Sequence, residues 1–522
     1  MRIRLPQRRR WRALIYTVSF LLILLAIDLI LVQAGRHISV NYETTRVTEP
    51  RMAGGAIDYL AALENHYSQG VTRENNMVVP LLEALGPSAL AKSQPRDGIT
   101  NRLGIPSLAE TGDYFQPREK FPADRNSGGG DDDAKLHERP WKAAAHPQTA
   151  AWLTANEKPL AKLIEASKRT RFYYPFNAGY RPEALIELEL PYLLYSRQSS
   201  RALVARAMMR MGENDVAGAR QDLAAAHRLG GLFTQGATLI DRLVGYAIDS
   251  DASRAEQALA AGGMLDAQQA RDWLAASAQL PPMNGVADGI DFSERYLYLD
   301  TMQFGARRGL TRFMTLVSEP LKTAAPPALL GGLAPVRWGH AMEAGNGWYD
   351  RIAAAFGKTN RVERRAAVSA VMRELADYTR GAGTYLHMLV SSEWPLAMFF
   401  PALEQIADRD DAAAANRTLA QLALALAAHR AEHGGYPATL NALAPAYLAT
   451  IPNDPFTDKP FTYRPSAGGY LLYSVGPDLQ DDGGRQMTSA AGAKGDLAVV
   501  AGDAVVATQP ATTAPSAPST KH

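Results

Sequence analysis

Hydrophobic positions follow three different patterns along the chain. Near the N-terminus they form one long stretch, Ala13–Val32, that contains few polar residues. Through the middle, from 36 to 410, they recur every three or four residues in several separate stretches, which is the spacing of one face of an α-helix. Close to the C-terminus they alternate in Phe461–Arg464 and form a short, mostly apolar run in Tyr470–Val475, and these two segments predict a strand and its returning partner. The pattern therefore predicts a mainly α-helical protein with a small α+β module near its end.

The N-terminal stretch has the length of a membrane-spanning helix. At ~1.5 Å per residue, Ala13–Val32 would extend about 30 Å, the thickness of the hydrocarbon core of a bilayer. The segment before it is rich in arginine, and few positive charges follow it closely. This asymmetry predicts that residues 1–35 form a basic cytoplasmic stub and a single transmembrane anchor, with the bulk of the chain beyond the inner membrane. A cleaved signal peptide is the alternative interpretation.

The middle of the chain predicts two helical regions, 36–285 and 286–410. Within the first, Arg201–Met211 and Val216–Leu229 have helical spacing and are separated by the turn Gly212–Asp215. Alanines on both predicted helices would let them approach closely. This hairpin resembles a unit of the tetratricopeptide type, but a repeat of ~34 residues does not recur. We therefore expect a helical hairpin and not a repeat array.

The C-terminal module is predicted over 411–500. An alanine- and leucine-rich helix should end at Gly434–Gly435, because glycine commonly caps the C-terminus of a helix. A short amphipathic helix, Leu440–Leu448, should follow. The two predicted strands are joined by Ala467–Gly469, which has the composition of a hairpin turn. Together these elements would form a small antiparallel sheet folded against the end of the long helix.

The order of these elements resembles the C-terminal module of the major pseudopilin of bacterial type II secretion. Four segments carry the resemblance: His429–Pro437, Ile451–Phe456, Pro460–Tyr463 and Tyr473–Asp478. In that family, the loop after the last matched strand binds calcium through carboxylate and backbone oxygens, the ligands that a hard cation prefers. The resemblance therefore implies a calcium site.

Four aspartates are the candidate calcium ligands. Asp478 matches the family position best, Asp496 resembles the later acidic position, and two residues between them could supplement the shell: Asp481 and Asp482. An Asp/Gly-rich turn without an ion is the alternative. Leu479 departs from the family, which usually has a glycine there.

The N-terminal segment departs further from the pseudopilin pattern. Arg10-Trp11-Arg12 enters the apolar stretch, and no Gly-Phe junction is present for a prepilin peptidase. The predicted anchor also lies several hundred residues before the module, whereas the anchor helix of a pseudopilin is continuous with its head. The resemblance therefore covers one domain, and the whole arrangement resembles membrane-anchored bacterial envelope proteins that carry such a tail.

Composition and motifs exclude several classes of site. The absence of cysteine excludes disulfides, zinc-thiolate centres and cysteine nucleophiles, and a net charge of +2 gives no argument for nucleic-acid binding. The sequence contains no P-loop, GxSxG, HExxH or GxGxxG motif. The acidic run Asp131–Asp133 follows three glycines, which favours a solvated loop over a metal site. Residues 501–522 are rich in alanine, threonine and proline and are predicted to be disordered.

These observations predict a non-enzymatic, single-pass envelope protein with a helical protein-interaction region and a pseudopilin-like module. Its expected partners are the inner membrane and other envelope proteins, and calcium is the cofactor that the resemblance implies. Two alternatives remain at this point. One is an exported hydrolase whose active site is assembled from dispersed residues, and the other is a true subunit of a secretion fibre.

Overall fold

The computed structural model describes Tyr16 and residues 35–122, 136–318, 336–380, 395–400, 403–489 and 492–504. These parts are mainly α-helical and contain a small antiparallel sheet, as predicted. Apart from Tyr16, the predicted anchor lies outside these ranges, as do Asp131–Asp133 and the end of the C-terminal segment from 505. Within the described ranges, no helix combines the length and the apolar character that crossing a membrane requires.

The α-helices of the described chain lie before Gly434, and the longest of them is the last. Those before residue 280 are α1 (Tyr42–Thr45), α2 (Tyr59–Tyr67), α3 (Val78–Leu85), α4 (Arg96–Arg102), α5 (Pro147–Ala155), α6 (Glu157–Ala166), α7 (Pro191–Gly212), α8 (Val216–Phe233), α9 (Leu239–Ala261) and α10 (Ala267–Ala278). Those after it are α11 (Arg295–Arg308), α12 (Leu310–Ser318), α13 (Trp338–Phe356), α14 (Arg361–Tyr378), α15 (Leu396–Phe399) and α16 (Leu403–His433).

The predicted helical hairpin is confirmed as α7 and α8. Its turn depends on Asn214, which adopts a φ of 63°, a left-handed conformation that asparagine tolerates better than most residues. Asp215 then caps α8, because its side chain accepts a hydrogen bond from the backbone N–H of Gly218 at 2.9 Å. Ala205 and Ala219 are buried, as the close approach of the two helices requires. The hairpin also packs against α9, so it is part of the core.

Helix α16 is the central element of the fold. Leu419, Leu422 and Leu426 are fully buried, because α16 packs against α9, α10 and α14 as well as against the sheet. Along Leu422–Ala428 the helix is buried on every side, which is typical of an enclosed position. The helix ends at Gly434, whose φ of 78° confirms the predicted glycine cap. Since α16 begins at Leu403, it passes without interruption through the predicted domain boundary at 411.

The sheet consists of three antiparallel strands. A separate two-stranded antiparallel ribbon is formed by residues that precede the last of these strands in the sequence. The predicted hairpin is confirmed as β1 (Thr462–Pro465) and β2 (Tyr470–Ser474), and β2 lies between β1 and β5 (Leu497–Ala501) in the sheet. Sequence reasoning did not predict β5, although its short apolar run between Gly495 and Gly502 was a usable signal. The strands are β1 (Thr462–Pro465), β2 (Tyr470–Ser474), β3 (Gln486–Ser489), β4 (Gly492–Gly495) and β5 (Leu497–Ala501).

Candidate functional site

The loop that follows β2 contains the predicted calcium ligands, and the fold holds both of its ends. Gly476 begins the loop with a φ of 70°, and a side chain there would collide with the carbonyl oxygen of Gly495. This close approach brings the start of the loop next to the residue that precedes Asp496. Gly484, near the other end, packs against the side chain of Leu471, so the loop covers one face of β2.

Asp454 fixes the base of this loop. It is buried, and its Oδ1 accepts hydrogen bonds from the backbone N–H of Phe456 and the hydroxyl of Ser474, both at 2.9 Å. Its Oδ2 accepts a longer bond from the N–H of Val475, at 3.3 Å. The carboxylate therefore joins the turn at Ile451–Phe456 to the end of β2. Sequence reasoning treated Asp454 only as a turn residue, since its partners are some twenty positions away in the chain.

Asp496 is the most unusual of the four predicted ligands. It is 1% exposed, and its Oδ2 accepts a hydrogen bond from the N–H of Gly484 at 2.6 Å. Its Oδ1 is buried and has no hydrogen-bond partner within the described residues. Burial raises the pKa of Asp496, and hydrogen bonding from the backbone N–H groups of Gly484 and Asp482 opposes this rise. The negative charges of Asp481 and Asp482 raise the pKa further. A bound cation would offset the repulsion among these carboxylates, and it would give the unpaired Oδ1 of Asp496 a partner.

Asp481 is oriented by two neighbours. Its Oδ1 accepts hydrogen bonds from the N–H of Gly483 at 2.9 Å and from the hydroxyl of Tyr473 at 2.8 Å. These bonds, with the one from Gly483 foremost, hold the pKa of Asp481 below its ordinary value. The carboxylate is therefore kept ionised while remaining exposed on one side of the loop.

Asp478 lies apart from this group in its contacts. Its Oδ1 accepts a hydrogen bond from the N–H of Gln480 at 3.1 Å, which makes a local turn. Leu479 occupies this turn with a φ of 60°, the left-handed conformation that explains why a glycine is usual there. Among the described residues, no three acidic or histidine side chains converge as a ready metal site. Asp481 and Asp482 thus act on Asp496 through their charges, whereas Asp478 lies in a separate turn.

Arg365 ties the loop to the helical body. It extends from α14 and donates hydrogen bonds to Asp411 Oδ2 at 2.8 Å and to the carbonyl oxygen of Pro477 at 3.4 Å. Its guanidinium also lies 4.6 Å from the centre of the Phe456 ring. Asp411, on α16, is fully buried and accepts further bonds from two more arginines of α14: Arg361 at 2.7 Å and Arg364 at 2.6 Å.

A second buried polar cluster lies among α8, α9, α10 and α16. His227 is fully buried, with its Nδ1 2.7 Å from Asp249 Oδ1 and its Nε2 3.4 Å from Glu256 Oε2. Arg417 also pairs with Asp249, and the indole of Trp273 donates to Glu256 at 2.8 Å. Burial opposes a charge on His227, but the carboxylates of Glu256 and Asp249 raise its pKa to about 9. A charged histidine held this far from solvent is suited to structural support rather than to proton transfer with a substrate.

No protein family, curated protein or solved structure matches this chain.

Proposed function

We propose that the chain is a non-enzymatic, single-pass envelope protein that holds a protein-binding helical body and a pseudopilin-like module outside the inner membrane. The C-terminal module carries this proposal. A long helix capped by Gly434, a short 3₁₀ turn at Leu440–Leu443, an antiparallel hairpin and an acidic loop follow one another there. This is the order of the pseudopilin pattern, and Asp454 gives the matched turn at Ile451–Phe456 a structural role.

The way the module is attached favours a fixed envelope protein over a fibre subunit. Helix α16 is enclosed by helices of the body, and β5 packs against α9 as well as against α16. A pseudopilin, by contrast, needs the helix before its head to be free to pack with other subunits along a fibre. The Arg365 contacts with Pro477 and Phe456 further bind the loop to the body. We therefore propose that the module is a permanent part of one larger ectodomain.

Calcium fits the chemistry of the loop. Asp496 would supply its unpaired Oδ1, and Asp481 and Asp482 would add carboxylate oxygens, with backbone carbonyls completing the shell that calcium requires. The ion would supply positive charge that offsets three neighbouring carboxylates. Its role would be to stiffen the loop over β2, and the residues themselves hold the loop in place through Gly483, Gly484 and Tyr473.

Adding calcium is expected to raise the melting temperature of the full-length protein in detergent. Because calcium would bind only the folded loop, a concentration one hundred times its dissociation constant should stabilise the protein by about 2.7 kcal/mol. Asp496→Asn should abolish this rise, and Asp478→Ala should reduce it less. Differential scanning fluorimetry with and without calcium measures the effect.

The control for the calcium experiment is Asp503→Asn. Asp503 is exposed near the β1–β2 turn, where it accepts a bond from Ser466 at 3.1 Å, so its replacement should leave the calcium response intact. Magnesium should act more weakly, since it prefers a stricter octahedral shell. A melting temperature that calcium leaves unchanged would show that the loop is an ion-free turn.

The membrane part of the proposal predicts how the protein fractionates. In a bacterial host, the full chain should sediment with inner membranes and stay there after alkaline carbonate washing. Deleting 13–32 should release it, because that stretch supplies the apolar length for insertion. A reporter that is active only outside the cytoplasm should be active when fused after 504. Release of the full chain by carbonate, or an inactive reporter, would refute the predicted anchor or its orientation.

A further inference from the structure

Four arginines from three helices gather on one side of the helical body. Arg197 and Arg201 lie one turn apart on α7, Arg254 lies on α9, and Arg409 lies on α16. Asp251 pairs with Arg201 at 3.2 Å and also with Arg254. Asp251 thus pairs with two of the four guanidinium groups, and its charge also acts on Arg197. Arg197 and Arg409 are exposed, and they make no hydrogen bond or ion pair with other described residues.

In the absence of a ligand, this arrangement of like charges is unfavourable for the stability of the fold. Like charges one helical turn apart destabilise a helix by a few tenths of a kcal/mol. Partial burial of its side chain lowers the pKa of Arg197, and the charges of Arg201, Arg409 and Arg254 lower it further, whereas Asp251 opposes them. An anionic group placed among these arginines would remove the repulsion. The arginine cluster, defined as Arg197, Arg201, Arg254 and Arg409, is therefore suited to binding a ligand with negative charge.

Two members of the arginine cluster, Arg201 and Arg254, line one end of a large cleft, and the other two members lie near them. The cleft has a volume of about 1070 Å³ and extends from Arg201 and Arg254 to β5, where Val499 and Val500 line it. Trp152 contributes to an apolar wall. The volume lies at or above the upper end of the range that is usual for small-molecule pockets, about 300–1,000 Å³. A cleft with a basic end, an apolar wall and this volume suits a short stretch of polypeptide.

Gln198 adds a hydrogen-bond requirement to the cleft. Its Nε2 donates to Glu119 at 3.2 Å, whereas its Oε1 is buried and finds no donor within the described residues. An unpaired buried acceptor costs about 1–3 kcal/mol, so a ligand with an N–H donor would be favoured here. Free phosphate could neutralise the arginines, but it would leave Gln198 unpaired and the apolar wall uncovered. Glu119 and Glu138 also line the cleft, so acidic side chains are favourable at the arginine cluster rather than along the whole ligand.

We propose that this cleft binds an extended, acidic segment of a partner protein. Carboxylates of the segment would pair with Arg197 and Arg409, a backbone N–H would donate to Gln198, and apolar side chains would lie against Trp152 and Val499. The inference deepens the proposed function and rests on it in one respect, that the helical body binds proteins. It names the chemical class of the partner segment: acidic at one end, apolar in between and extended.

The test is a binding measurement with a defined peptide. A fluorescent synthetic peptide that alternates valine with glutamate at one end is titrated with the full-length protein in detergent, and fluorescence anisotropy is recorded. We expect saturable binding that weakens as salt is added. Arg197→Ala and Arg409→Ala should each weaken binding by roughly tenfold, and Arg197→Lys should restore part of it. Both residues are exposed, so these variants should fold.

The controls separate this proposal from its rivals. Arg312→Ala, which removes an exposed arginine of α12, should leave binding unchanged. A peptide with glutamine in place of glutamate should bind at least tenfold more weakly, and inorganic phosphate should compete poorly. Equal binding of the glutamine peptide, or indifference to both arginine variants, would overturn the proposal. Strong competition by phosphate alone would instead indicate a simple anion site.

Two further outcomes are distinguishable. The chain has its own acidic run, and the variant with asparagine at Asp131, Asp132 and Asp133 tests it: if only that variant binds the peptide, the chain itself is the occupant and the partner proposal fails. Failure of peptide binding while the protein still fractionates with membranes and responds to calcium would refute the acidic partner and leave the proposed function standing.

Discussion

Replacing Asp411 by alanine is expected to destabilise the protein more than any other single substitution on α16. Asp411 is fully buried and accepts hydrogen bonds from Arg361, Arg364 and Arg365. Its removal leaves Asp410 as the only buried carboxylate facing these cations among the described residues. Breaking a buried ion pair from one side costs about 3–5 kcal/mol, because the remaining charge stays buried without compensation. Urea unfolding of the full-length protein, followed by tryptophan fluorescence, measures the shift in midpoint.

Asp408 provides the matched control for Asp411. It lies on the same helix and pairs with the same Arg365 at 2.7 Å, but its side chain is 40% exposed. An exposed pair contributes about 0–1 kcal/mol, so Asp408→Ala should shift the urea midpoint only slightly. If Asp411→Ala and Asp408→Ala were equally stable, the arginines of α14 would not depend on the buried carboxylate. The proposed link through Arg365 between the helical body and the C-terminal module would then be refuted.

Asp411→Ala should also increase the local opening of the acidic loop that follows β2. Arg365 is held by Asp411 and Asp408 while it contacts Pro477 and Phe456. Without Asp411 it loses its most buried anchor, so amide hydrogens between Gly476 and Gly484 should exchange faster than in the Asp408 variant. This local effect separates a specific loss of the tie from a general loss of stability.

Local signals were sufficient to predict the elements that local chemistry determines. The hairpin of α7 and α8 depends on Asn214 and Asp215, which lie within the turn itself. The end of α16 depends on Gly434, and the β1–β2 pairing joins neighbouring strands. In each case the decisive residues are close in sequence, and glycine, asparagine or alternating apolar residues carry the signal.

Long-range pairings explain what sequence reasoning missed. The predicted break before 411 falls on the carboxylates that bind arginines some fifty positions earlier, and no local pattern indicates that link. Asp454 likewise acts through Ser474 and Val475. Among the candidate ligands, proximity to the matched motif pointed first to Asp478, whereas burial singles out Asp496. Burial of Asp496 depends on β5, a strand that the pattern did not predict.

The buried cluster around His227 should make the stability of the protein depend on alkaline pH. The pKa of His227 in the folded protein is about 9, above its ordinary value of 6.5. The protonated form is therefore favoured by folding. Its contribution is complete below about pH 6.5 and is lost as the pH rises through about 9. This difference corresponds to a contribution on the order of 3 kcal/mol at the lower end of that window.

His227→Gln should remove both this stability and its pH dependence. Glutamine cannot carry the charge that sits between Asp249 and Glu256, so two buried carboxylates would share Arg417 alone. The urea midpoint of the unaltered protein should fall between pH 6.5 and 9. That of the variant should start lower and change less across the same range.

The comparison that isolates His227 uses a histidine in a different environment. His433 is exposed at the end of α16, where its Nδ1 lies 3.1 Å from the carbonyl oxygen of His429 and its ring stacks on that of His429. A charged neighbour, Glu432, is on the same helix. His433→Gln should therefore retain the fall in midpoint between pH 6.5 and 9. A variant at His227 that kept the same fall would assign the pH dependence to other groups. A midpoint that stayed constant in the unaltered protein would mean that His227 is neutral when buried, and that Arg417 alone balances Asp249 and Glu256.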